Sequence, residues 1–152
     1  MAKTILDLLT SAILVTLLVI LVSTLSNLIW LSSMNLPIDI NLITSTFFDD
    51  VIGMNFNSQI PLYLLVSLPL IIFLYFAKII SKNMSSRSIY LYAFAGALSM
   101  FCLMVFLPMA LDNLEPISGS RTNIGKLCMT ICGFFGGYFF GKRQINTKMS
   151  SI

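Results

Sequence analysis

The sequence predicts an all-α integral membrane protein, a bundle of four transmembrane helices with both termini in the cytoplasm. Hydrophobic residues make up 57% of the 152-residue chain and charged residues only 10%, against roughly 25% charged in a soluble domain. The apolar residues gather into four long runs, and the charges between the runs are sorted by sign. A water-soluble fold of mean hydropathy +0.93 would have to expose large apolar patches. With lipid as the outer solvent that cost disappears. The length suits one transmembrane domain over residues 1–152.

The runs cover about 5–31, 62–80, 90–111 and 124–140. A helix needs about 20 residues, within a range of roughly 17–25, to cross the hydrocarbon, so the fourth run sits near the lower limit. Lipid-spanning strands would alternate apolar and polar residues and close into a barrel. The stretch from Leu68 to Tyr75 does not alternate.

The first run follows Lys3, as in a secretory leader. Its apolar stretch is far longer than the 7–15 residues of a leader's apolar region, and no small-residue cleavage pattern follows. It is expected to be a retained helix, with Trp30 as an interfacial anchor. Thr16, Ser23 and Asn27, with Ser26 beside them, form a polar stripe for packing against other helices, and Asn27 is the strongest hydrogen-bond former among them.

The connection 32–61 is the longest. In it Phe47, Phe48, Val51, Ile52 and Phe56 flank Asp49 and Asp50. Two structures fit: a short amphipathic helix on the outer membrane surface, or an irregular loop whose aromatics pack on the bundle. Pro69 and Pro108 fall inside the second and third runs. Each removes a backbone donor, which neighbouring helices compensate in a membrane.

The fourth run carries the clearest motif. Gly133, Gly137 and Gly141 recur every four residues, two overlapping GxxxG units on one helix face, and Gly136 is expected to widen the groove. In lipid, helices associate through close backbone approach, which small residues permit. The mate is either the first or third helix of the chain, the first through its Thr16, Ser23 and Asn27 stripe, or a partner subunit. Within the chain, Gly96 in the third run matches in depth, together with Ala93, Ala97 and Ser99.

The segment before the fourth run concentrates polar groups: Asp112, Glu115, Arg121 and Lys126, with Pro116 and Gly119 for a turn. Ser120 or Thr122 would cap the helix, and Arg121 would pair with Asp112 or Glu115. It is either an ordinary polar hairpin or a recognition site for a solute, a lipid headgroup or a partner.

Charge fixes the orientation. With both termini inside, Lys3, Lys78, Lys82, Arg87, Lys142, Arg143 and Lys148 lie on the inner side with a single acid, Asp7. The outer side then holds Asp39, Asp49, Asp50, Asp112 and Glu115 against Arg121 and Lys126. Seven of nine basic residues on one side is the positive-inside bias. The bacterial cytoplasmic membrane fits this pattern best. Short basic flanks of this kind do not form a nucleic-acid surface.

No catalytic constellation is legible. The runs hold no deep Asp, Glu, His or Arg, while Asp7 and Lys78 lie near helix ends where they reach the interface. General acid–base work needs a positioned, tuned group, so an enzyme is not expected. Without histidine or a CxxC pair, no metal is expected either; nor is a cofactor. Cys102, Cys128 and Cys132 are expected to be small packing residues. The partners expected are the lipid bilayer and either further copies of the chain or a larger membrane complex. Two functions remain: an accessory, assembly or structural subunit that packs on a partner through the glycine-rich fourth helix, or a small oligomeric transporter or channel.

Overall fold

The computed structural model describes residues 2–34, 37, 39–58, 60–81, 88–111 and 117–149. Among them every regular element is helical. The four runs become α1 (Ala2–Ser33), α3 (Leu62–Ser81), α4 (Ser88–Ala110) and α5 (Asn123–Met149), and α2 (Ile40–Ile52) lies between the first two. A π-helical turn, Gly53–Asn57, continues α2, and a 3-10 turn, Ser118–Arg121, leads into α5. The stretches Lys3–Ser33, Leu62–Ser81, Ile89–Ala110 and Asn123–Ile145 are long and apolar enough to cross a membrane.

The helices form a ring in which α1 packs on α3, α3 on α4, α4 on α5 and α5 on α1. Neighbours are antiparallel, an up-down-up-down bundle. The base is the end where α1 begins and α5 finishes; the top is the opposite end. The core is filled by Val15, Val19 and Ile20 from α1, Leu70 and Leu74 from α3, Met100 from α4, and Met129 and Phe140 from α5, all fully buried.

The outer surface of the bundle is apolar, and the largely apolar core also holds hydroxyl side chains. Along α1, Leu9, Ile13, Leu17, Leu21, Leu25 and Ile29 recur every fourth residue and are 42–70% exposed. The opposite face buries Ser11, Thr16, Ser23 and Thr24. Thr16 donates to the carbonyl of Ala12 one turn earlier, which satisfies its hydroxyl within the helix, the condition for burying it. The single proton of the Thr24 hydroxyl lies between two acceptors, the Ile20 carbonyl one turn earlier at 3.0 Å and the closer Asp50 carboxylate. Ser23 is buried as well, whereas the Asn27 side chain makes no hydrogen bond among the described residues. Two hydroxyls of α1 do reach other helices: Ser11 donates to the Gly136 carbonyl at 2.7 Å, and Thr24 to the Asp50 carboxylate at 2.6 Å.

That second bond draws α2 onto the top of α1. Asp39 caps α2 by accepting the Ile40 N–H at 2.7 Å. Phe47, Val51 and Met54 pack on the core, while Phe48, Ile52 and Phe56 stay exposed. The Asn55 side chain then joins this segment to α3, donating to the Val51 carbonyl and accepting the Tyr63 N–H. Segment 32–61 thus contains a helix, not an irregular loop, with one aromatic, Phe47, on the core and an exposed apolar edge.

The fourth run is longer than its hydropathy suggested. It ends at about 140 as an apolar run, but α5 continues through Lys142 and Arg143 to Met149. In this extension Arg143 meets the Asp7 carboxylate of α1.

Candidate functional site

The glycine face of α5 is closely packed, and α4 fills it. A Cβ added to Gly96 would strike the carbonyl oxygen of Gly133, and one added to Gly133 would strike that of Gly96. The missing side chains are therefore what allows the two backbones to meet. A Cβ on Gly137 would run into the Tyr92 carbonyl oxygen and come within 3.0 Å of the Ala93 Cα. At Gly141 the contact loosens to 3.1 Å from the Tyr92 Cβ and 3.3 Å from the Ile89 Cα. Of the mates considered, α4 of the same chain holds this face.

Tyr92 is the knob of this seam. Its ring meets Phe140 edge-on, with centroids 5.4 Å apart. Its buried hydroxyl lies 2.8 Å from that of Ser81 at the end of α3. One side chain thus links three helices at the base. Gly136 does not widen the same groove. A 100° step per residue turns it toward α1, where a Cβ would meet a methyl of Val15, and its carbonyl accepts from Ser11.

Below Gly136 and Phe140 on that α1-facing side lies the strongest electrostatic feature. Asp7 is buried. Arg143 Nη1 donates to its Oδ1 at 3.3 Å, and Gln144 Nε2 to its Oδ2 at 3.2 Å. Arg143 also donates to the Thr10 hydroxyl at 3.1 Å and stacks 4.6 Å from the Phe139 ring centre. Asp7 therefore does not reach out to the interface as its position near a helix end suggested. It clasps α1 to α5. A single acid inside an apolar run, with Ser11 four residues on, was the available signal.

At the top, the polar segment is only partly described. Asp112 and Glu115 lie outside the described residues. Arg121 is exposed at the end of the 3-10 turn, and Lys126 is half-buried in the first turn of α5. Arg121 makes no ion pair among the described residues. The middle of the turn is tucked into the bundle: Ile117 and Ser120 are buried, and a Cβ on Gly119 would sit 3.2 Å from the Ser23 Cα of α1. Thr122, rather than Ser120, caps α5 by accepting the Gly125 N–H at 3.0 Å. Ser120 turns its hydroxyl back to the Ile117 carbonyl. The turn works as a plug against α1, with Arg121 at its rim.

The three cysteines are free, Cys132 buried and the other two half-buried. Among the described residues no group of acids and thiols converges as a metal site would require. Compared with known protein families, characterised proteins and solved structures, the chain matches none.

Proposed function

We propose that this chain is a non-catalytic, multi-pass protein of the bacterial cytoplasmic membrane, with both termini inside, serving as an accessory or structural subunit of a membrane complex. The observation that carries this reading is the apolar exterior: four helices long and apolar enough to cross a membrane, with leucine and isoleucine exposed along their outer faces. Water would penalise that exterior, whereas lipid makes it the natural outer face. The core is occupied by large side chains at mid-height, Leu70, Met100 and Met129. This favours a scaffold over a conduit.

The glycine face enters the proposal in a changed role. Because α4 fills it, the fourth membrane helix contributes to closing the subunit itself. A partner would then meet the lipid-facing rows or the top, where α2 and the plug of residues 117–121 converge on α1.

Two measurements test this. Reporter fusions after Asn146 and at Asp49 should read opposite sides of the membrane; the same side for both would reject the four-span topology. Extracted in mild detergent, the 16.9 kDa chain should travel in a complex with a different protein. Purification as a homo-oligomer that passes a solute or ion in liposomes would replace the accessory reading with the transporter or channel.

A further inference from the structure

At the base, a cleft of about 390 Å³ lies between α1 and α3. Leu74 and Phe140, both fully buried, lie behind its inner end. Ile5 and Leu8 of α1 and Ile71 of α3 form its apolar walls, and Lys78 closes it toward the base. Thr4 and Tyr75 contribute the other polar atoms of the rim.

We propose that this cleft binds one anionic phospholipid of the adjoining leaflet, an acyl chain lying between α1 and α3 and the phosphate on Lys78. The site rests on the membrane reading above and goes beyond it by naming a ligand.

Depth is the first argument. The 20 residues of α3 span about 30 Å at 1.5 Å per residue, the thickness of the hydrocarbon. Ile71 stands at the middle of that helix and Lys78 one turn from its end. Between them lie about 10 Å of rise, so the cleft runs from the bilayer centre to near the headgroup level of one leaflet. An acyl chain with a headgroup has that shape.

Charge is the second argument. The Lys78 ammonium makes no ion pair or hydrogen bond among the described residues. The one acid in the base half of α1, Asp7, already has both oxygens engaged by Arg143 and Gln144. Lys3 and Lys142 add positive charge at the same end, both exposed. A lysine at this level extends its ammonium to the headgroups while its stem covers apolar surface. A net negative headgroup satisfies it, whereas a zwitterionic one also brings its own cation toward it.

Native mass spectrometry of the protein released from nanodiscs containing phosphatidylglycerol and phosphatidylcholine tests the site. One phosphatidylglycerol should be retained in preference to phosphatidylcholine. Lys78→Gln should lower that retention about fivefold, the effect of one lysine on an anionic lipid. Ile71→Trp leaves Lys78 in place but fills the mid-bilayer end of the cleft, and it should also lower retention. Lys142→Gln, at the same end but outside the cleft, should not. Equal retention of both lipids would overturn the proposal. So would a Lys142→Gln effect as large as that of Lys78→Gln with Ile71→Trp silent, which would mark diffuse surface attraction. A chain that does not enter nanodiscs would instead reject the membrane reading.

Discussion

Gly137→Ala should destabilise the bundle by about 3 kcal/mol, the upper end of the cost of overpacking a core. Equilibrium unfolding in mixed micelles titrated with sodium dodecyl sulfate measures it. The size follows from what the new methyl group meets. At Gly137 it is the Tyr92 backbone carbonyl, which cannot rotate away as a side chain would. Either α4 and α5 separate along their length, forfeiting the dispersion contacts that hold helices together in lipid, or the helix bends. Gly96→Ala and Gly133→Ala should cost similar amounts, since each added methyl strikes the other's carbonyl. Gly141→Ala should cost less, because the methyl sits 3.1 Å from the Tyr92 Cβ, a contact that a small shift relieves. Gly136→Ala meets the side chains of Val15 and Ser11 and no backbone of α1, so it should also be milder. Gly53→Ala is the contrast. Nothing lies within 4 Å of its added Cβ, and alanine is favoured over glycine in a helix by about 1 kcal/mol, so stability should hold or rise. Equal effects at Gly53 and Gly137 would show that helix propensity, not the seam, governs the response.

Arg143→Ala should cost more than Asp7→Asn, roughly 2 kcal/mol against about 1 kcal/mol, in the same unfolding assay. The asymmetry comes from burial. The Arg143 side chain is 43% exposed and the Asp7 side chain 5%. Removing the arginine strands a buried carboxylate with Gln144 as its remaining side-chain donor. Removing the charge of the acid leaves a guanidinium that still reaches solvent, Thr10 and the Phe139 ring. Because the arginine is nearly half exposed, the loss stays below the 3–5 kcal/mol typical of fully buried pairs. The double variant Asp7→Asn/Arg143→Ala should recover much of the Arg143→Ala loss, since it no longer buries an unpaired charge. Additive losses would show that the two residues stabilise the bundle independently.

These two features differ in how far the sequence announced them. The four helices were legible because length and hydropathy alone define them, and α3 and α4 begin and end within two residues of their apolar runs. The glycine repeat was legible as a face, since the 3.6-residue period places Gly133, Gly137 and Gly141 together. Its mate was legible only as a choice. Gly96 matched in depth, but the knob, Tyr92, carries no signal at all; an aromatic at the end of an apolar run reads as an interfacial anchor. Gly136 was misplaced because adjacency in sequence suggested one groove, when the helix turns it onto α1. Asp7 was misread for a related reason. Hydropathy gives its distance from the helix end, but not the side of α1 it occupies. Only the continuation of α5 past its apolar run brings Arg143 and Gln144 to it. The polar segment 112–126 looked like an exposed turn because its composition is hydrophilic. Ile117 and Gly119 show instead that its middle is packing material for α1.

The central claim is that the glycine face joins α4 and α5 of one chain. Cysteine cross-linking tests it most directly, after Cys102, Cys128 and Cys132 are replaced by Ser. Ile89→Cys and Gly141→Cys then place two thiols across the seam, where a Cβ on Gly141 lies 3.3 Å from the Ile89 Cα. Oxidation of the double variant in membranes should give a cross-link at the mass of one chain, and two co-expressed copies carrying one cysteine each should give none. A dimer from the co-expressed copies, with no intramolecular bond in the double variant, would place another copy of the chain on the glycine face and contradict the account.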